Sequence, residues 1–75
     1  MNLKKILSDV FGMSPEQYHD ETSIMSLPHF DSMNHMMFIT ELEGEFSIEL
    51  TGDEIAEMVT IGQIKKVLIS KGIDV

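Results

Sequence analysis

Asp31-Ser32-Met33-Asn34-His35-Met36-Met37-Phe38-Ile39-Thr40-Glu41-Leu42-Glu43-Gly44-Glu45-Phe46 reads as one amphipathic helix, with Asp31 or Ser32 as its capping residue. On a wheel of about 100° per residue, His35, Phe38, Ile39, Leu42 and Phe46 fall in one narrow sector, the expected core stripe. The opposite side holds Met33, Met36, Met37, Thr40 and Gly44, with Glu41, Glu43 and Glu45 at the flanks. A helix with a proper core stripe is ordinarily polar on its back. Three methionines there instead suggest a contact surface, since an exposed apolar cluster usually marks one and methionine adapts to varied partners. The competing expectation is that the connection before the helix wraps over them as a second core face. His35 is expected to be a partly buried, satisfied histidine, because no catalytic partner for it stands in the sequence.

On the N-terminal side, Asn2 to Phe11 reads as helix 1: Leu3, Ile6, Leu7, Val10 and Phe11 form a one-sided stripe, and Gly12 is a natural stop. Residues 13–31 are a long connection, of a length that is uncommon without a function. Within it, Ser14-Pro15-Glu16-Gln17 can cap a single helical turn. Ile24, Met25, Leu27 and Phe30 are expected to pack this loop onto the core. On the C-terminal side, Thr51-Gly52-Asp53-Glu54 is a capping box opening a short helix that ends near Met58. Thr60-Ile61-Gly62-Gln63 repeats the pattern and opens a last helix to Ser70 or Lys71, with Ile61, Ile64, Val67 and Leu68 as its buried stripe. Lys71 stands in its last turn and Gly72 follows, a normal ending. The expected fold is all-α: a small four-helix bundle with a long loop between helices 1 and 2 and a short third helix. Residues 1–75 make one domain.

A chain of 75 residues leaves little room for a deep active site of its own, because so small a domain buries only about 60% of its unfolded surface. There are no cysteines, which removes disulfides and thiolate metal sites and fits a reducing, cytoplasmic setting. No apolar run approaches the roughly 20 residues of a membrane span. Met1 to Ser8 lacks the apolar stretch and cleavage site of a signal peptide. The net charge is −8, and no Lys or Arg lies between Lys5 and Lys65. Twelve of the thirteen acids fall in that gap. Such a surface repels nucleic acid, steers association with basic partner surfaces and disfavours self-association. A calcium loop over Asp20 to Asp31 is excluded, since Ile24 takes a ligand position and no glycine makes the sharp turn. No carboxylate pair, nucleophile–base pair or metal cluster points to an enzyme.

Ser32 stands where the long loop meets the helix, directly after an aspartate. Taken alone it is an ordinary cap residue. Its surroundings add to this, because the unpaired N–H groups at a helix start attract anions. Phe30-Asp31-Ser32-Met33, followed by a helix that closes Leu42-Glu43-Gly44-Glu45-Phe46-Ser47-Ile48-Glu49-Leu50, resembles the acyl carrier protein family. The family pattern is Asp-Ser-Leu at the start of helix 2, an acidic-ended helix with a Glu-Glu-Phe-like close, then a short helix and a final one. The resemblance covers the chain from helix 1 to Lys71. It implies that Ser32 accepts 4′-phosphopantetheine from coenzyme A, through a separate phosphopantetheinyl transferase that brings its own Mg²⁺ and that recognises the adjacent Asp31. Ser32 is then an acceptor and the chain a non-catalytic carrier, holding acyl groups as thioesters on the thiol of the arm. The implied partners are that transferase and acyl-activating, synthase or acyltransferase enzymes with basic docking surfaces. Met33, Met36, Met37, Thr40, Glu41 and Glu43 are the expected docking residues.

Departures from the pattern cluster beside Ser32. Met33 stands for the usual leucine, Asn34 stands where an acid is common, and no carboxylate follows Asp31 until Glu41. We expect from this a specialised carrier for a dedicated fatty-acid, polyketide or related pathway. Two other readings stay open at this stage. One is a stand-alone aminoacyl or peptidyl carrier, which shares fold and arm. The other is an unmodified adaptor that uses the methionine face as a binding groove.

Overall fold

The computed structural model describes residues 3–75. Its helices are α1 (Leu3–Phe11), α2 (Ser32–Phe46), α3 (Gly52–Glu57) and α4 (Ile61–Ser70). The all-α arrangement, with a long loop before α2 and a stub as third helix, is the one the periodicity implies. Asn2, expected at the head of the first helix, lies outside the described residues. One core unites the elements: Leu7 and Phe11 of α1, Phe38 and Leu42 of α2, and Ile61, Ile64 and Leu68 of α4 are sealed from solvent. Met58, just after α3, closes the same cluster.

The helix ends follow local chemistry. Thr51 and Glu54 close a full capping box: the Glu54 N–H donates to the Thr51 hydroxyl at 3.1 Å, and the Thr51 N–H donates to Glu54 Oε1 at 2.9 Å. Thr60 and Gln63 do the same for α4 at 3.1 and 2.9 Å. At the other end of α4 the helix stops at Ser70, and Lys71, expected inside the last turn, is instead its C-cap. The Lys71 ammonium reaches Glu54 at 2.8 Å and ties the end of α4 to the start of α3. That hydrogen bond, aided by the Thr51 N–H, holds the Glu54 carboxyl below its ordinary range.

The connection between α1 and α2 is ordered by two 3₁₀ turns and by bonds to distant backbone. Pro15–Gln17 forms the expected single turn, with the Ser14 N–H donating to Gln17 Oε1 at 2.9 Å. A second turn, Ile24–Ser26, was not expected from sequence; Ser23 caps it by accepting the Met25 N–H. The loop is then stitched to the α3–α4 junction. Ile24 donates to the Val59 carbonyl at 2.9 Å, Ile61 to that of Thr22 at 3.0 Å, and Gly62 to that of Asp20 at 2.9 Å. Lys65 reaches the Asp20 carboxylate at 2.9 Å, and this bond raises the ammonium above its ordinary value. Ile24 and Leu27 are buried as expected and Phe30 packs partly against the core, but Met25 is 60% exposed. Its turn presents Ile24 and Leu27 inward, and a three-residue 3₁₀ turn has no second inward position for it.

Two glycines separate backbone need from mere space. Gly12 ends α1 at φ +69°, and a Cβ there would lie 2.8 Å from the His29 ring. Gly44 sits inside α2 with open space around it. Gly12→Ala should therefore lose about 1–2 kcal/mol to left-handed strain. Gly44→Ala should gain about 0.5–1 kcal/mol from helix propensity. Urea unfolding of the two variants beside the parent measures both, and opposite signs are the expected result.

Candidate functional site

The loop returns to α2 through Phe30, and α2 opens at Ser32 with Asp31 as its cap. Of the two expected capping candidates the aspartate takes the role. Its backbone is extended, and Oδ1 accepts the Asn34 N–H at 2.7 Å. The His35 N–H then bonds the Asp31 carbonyl at 2.8 Å. Asn34 adds a second tie, its side-chain amide donating to the His29 carbonyl at 2.8 Å. A carboxylate at this position has no proton to donate there, so the asparagine replaces charge with a clasp between loop and helix.

This leaves Ser32 as the first residue of α2, exposed, at the rim of the molecule. Among the described residues its hydroxyl has no hydrogen-bond partner, and neither do the N–H groups of Ser32 and Met33. A phosphodiester on that hydroxyl meets a helix start that favours negative charge by about 0.3–1 kcal/mol. The hydroxyl is accessible and its surroundings suit an anionic ester.

The two faces of α2 separate as the wheel implies. Phe38 and Leu42 are fully buried, and Ile39 and Phe46 pack partly against the core. His35 is half-buried and stays outside the core cluster, its ring centroid 5.8 Å from that of Phe30. On the back, Met33 is 76% exposed, Met36 70% and Met37 48%. The loop does not wrap over them, so the second-core alternative fails. Thr40 is exposed, its hydroxyl donating back to the Met36 carbonyl at 3.0 Å. Glu41 and Glu45 face solvent. Glu43 is turned inward instead: its Oε2 accepts the Leu50 N–H at 2.9 Å and braces the α2–α3 turn.

A groove of about 260 Å³ opens beside the mouth of α2, lined among others by Met25, Phe30, His35, Ile55 and Met58. Phe30 and His35 flank Ser32 in sequence, and Met25 brings a fourth exposed methionine to this end of the molecule. Sequence reasoning missed Met25 because its neighbours Ile24 and Leu27 are core residues. Only the turn geometry shows that it points outward. No group of His, Asp and Glu suited to a metal ion occurs among the described residues. No helix among them is long and apolar enough to cross a membrane.

Residues 2–68 match the family model described as a phosphopantetheine attachment site. The chain is also similar to curated proteins named acyl carrier protein. That of Chlamydia trachomatis serovar D is 29% identical over 65 residues, 87% of this chain and 84% of the relative. That of Chlamydia muridarum is 28% identical over the same span. That of Lactobacillus acidophilus is 30% identical over 60 residues, 80% of this chain and 75% of the relative.

Asp31→Ala removes the cap and should cost about 1 kcal/mol. Asn34→Ala releases the loop and should cost about 0.5–1.5 kcal/mol. Amide hydrogen exchange measures both locally: the cap variant should speed exchange in the first turn of α2. The clasp variant should speed it around His29 and Phe30, where unchanged protection would count against the clasp.

Proposed function

The chain belongs to the acyl carrier protein family, whose prosthetic group is covalent 4′-phosphopantetheine, and from that premise we propose that Ser32 is the residue that bears the group. The observation that carries this reading is an exposed serine hydroxyl at the first position of α2, with no internal partner and with free N–H groups around it. When bound, the group supplies a thiol on which acyl chains are held as thioesters. The protein's own residues do the rest. Asp31 and Asn34 lock the first turn and the incoming loop, so the hydroxyl is presented from a fixed point. Asp31, next to the acceptor, is also the residue we propose the transferase recognises. The unpaired N–H groups of Ser32 and Met33 favour the phosphodiester. Tethering keeps the cargo near each successive enzyme at high effective concentration.

The docking surface in this reading is the exposed side of α2, Met33, Met36, Met37, Thr40 and Glu41. Glu43 was expected there too, but its carboxylate is engaged by the Leu50 N–H, so it contributes charge rather than a free hydrogen-bonding group. The carrier is non-catalytic and acts as a cytoplasmic monomer, in keeping with a net charge of −8. It serves a specialised pathway, because α2 presents amide, imidazole and thioether groups where carboxylates are usual beside the acceptor.

Intact mass after incubation with coenzyme A and a broad-specificity phosphopantetheinyl transferase tests the assignment. The parent should gain the mass of one arm and Ser32→Ala none. Modification of Ser32→Ala, or of neither protein, overturns it. Loading the product with a fatty-acyl activating enzyme and, separately, an amino-acid adenylating enzyme should give acylation only with the former.

A further inference from the structure

Two histidines bracket Ser32, His29 before it and His35 after it. No Lys or Arg lies between Lys5 and Lys65, so these imidazoles are the groups near the acceptor in sequence that can carry positive charge. They are placed differently. The His29 ring lies against Gly12, at the joint between α1 and the loop. His35 stands in the first turn of α2, and residues three apart share a helix face, so its side chain is on the side that carries Ser32. Helical side chains lean toward the N-terminus, and the 5.8 Å ring contact with Phe30 places this one there, at the edge of the groove. The ring is half-buried, and among the described residues it has no hydrogen bond and no ion pair. Its surroundings offer no counter-charge. To the groove α3 lends Gly52, Ile55 and Ala56, and the segments around it lend Met25, Phe30 and Met58, none of them ionisable. Of the nearest carboxylates, Asp31 is directed onto the Asn34 N–H, Glu54 is tied to Lys71, and Asp53 is exposed on α3.

We propose that His35 is a positioning residue for the prosthetic arm: its imidazolium pairs with the phosphodiester borne by Ser32 and holds the root of the arm on the groove side of α2. This inference rests on Ser32 being the acceptor. A protonated imidazole offers two N–H donors and the diester offers charged acceptor oxygens, so the contact is a charge-assisted hydrogen bond. A helix start by itself opposes positive charge in its first turn, and the diester offsets that opposition. The pairing is conditional on a proton that only one partner can lose. Histidine changes charge between about pH 5 and 8, whereas a phosphodiester, unlike a phosphomonoester, has no second proton to release there. Attachment of the arm and protonation of His35 therefore favour each other, because linkage is reciprocal. Falling pH draws the root of the arm toward the groove, and rising pH weakens the hold.

Phosphorus-31 NMR of the arm-bearing protein across that pH range tests the pairing, because the diester cannot itself titrate there. Its resonance should move with pH along a one-proton curve in the parent. It should stay flat in His35→Gln, which keeps a donor and removes the charge, and should follow the parent in His29→Gln. The ring-proton resonances of His35 should titrate at a higher midpoint in the arm-bearing protein than in the arm-free one, with a smaller change at His29. Circular dichroism should show both variants as helical as the parent. A flat phosphorus curve in the parent, a curve kept in His35→Gln, or one lost in His29→Gln overturns the proposal. So does a His35 midpoint that is the same with and without the arm, a result that needs no variant. Failure of the Ser32 assignment looks different: the parent protein itself takes up no arm, or Ser32→Ala does.

Discussion

Phe11 is the residue on which the placement of α2 depends. Its ring, fully buried, lies 5.1 Å from that of Phe38 and 5.6 Å from that of Phe30, centroid to centroid. Its carbonyl accepts the His29 N–H at 3.0 Å. One residue at the end of α1 thus packs against the middle of α2 and grips the last residues of the loop that leads into it. Aromatic pairs at such distances add about 0.5–1.5 kcal/mol each beyond the area they bury. Gly12, left-handed and without a side chain, lets the His29 ring lie directly over the chain at this joint. The approach to the mouth of α2 is therefore held by two ring contacts and a backbone hydrogen bond.

A fixed mouth matters in a member of a carrier family. What a carrier contributes is presentation: an acceptor at a constant place, an accessible surface around it, and enough charge to stay soluble and find basic partners. The charge is segregated accordingly. Every lysine belongs to α1, α4 or the residue after α4, and Lys4 and Lys65 both lie against the Tyr18 ring, at 5.7 and 4.8 Å. The region from the loop through α3 carries none. Within that acidic region the first turns of α2 are a neutral, thioether-rich island around Ser32.

The fold and the place of Ser32 at a helix start were largely legible in the residues themselves. The stripes of α1, α2 and α4 are periodic, and the boxes Thr51–Glu54 and Thr60–Gln63 close with the expected bonds. Ser32 lies at the helix start that the pattern marks, although Asp31 alone does the capping. Less was legible where a residue answers to a distant partner. Met25 reads as core from its apolar neighbours and is exposed. Glu43 reads as a flank carboxylate and is spent on the Leu50 N–H, seven residues away. His35, by contrast, was expected to be partly buried near the helix start, and it is half-buried beside the Phe30 ring.

The division has a physical cause. Helix periodicity and capping are settled by groups within about four residues of one another, so composition and spacing alone specify the helices, their limits, the acidic balance and the serine at the second helix's start. The path of the loop is settled by backbone bonds from Ile24 to Val59, Ile61 to Thr22 and Gly62 to Asp20, partners that no spacing rule connects. Those long-range bonds fix the turn on which Met25 points outward, beside the groove that Phe30 and His35 line, and so it was packing across the whole chain that decided the exposed surface there.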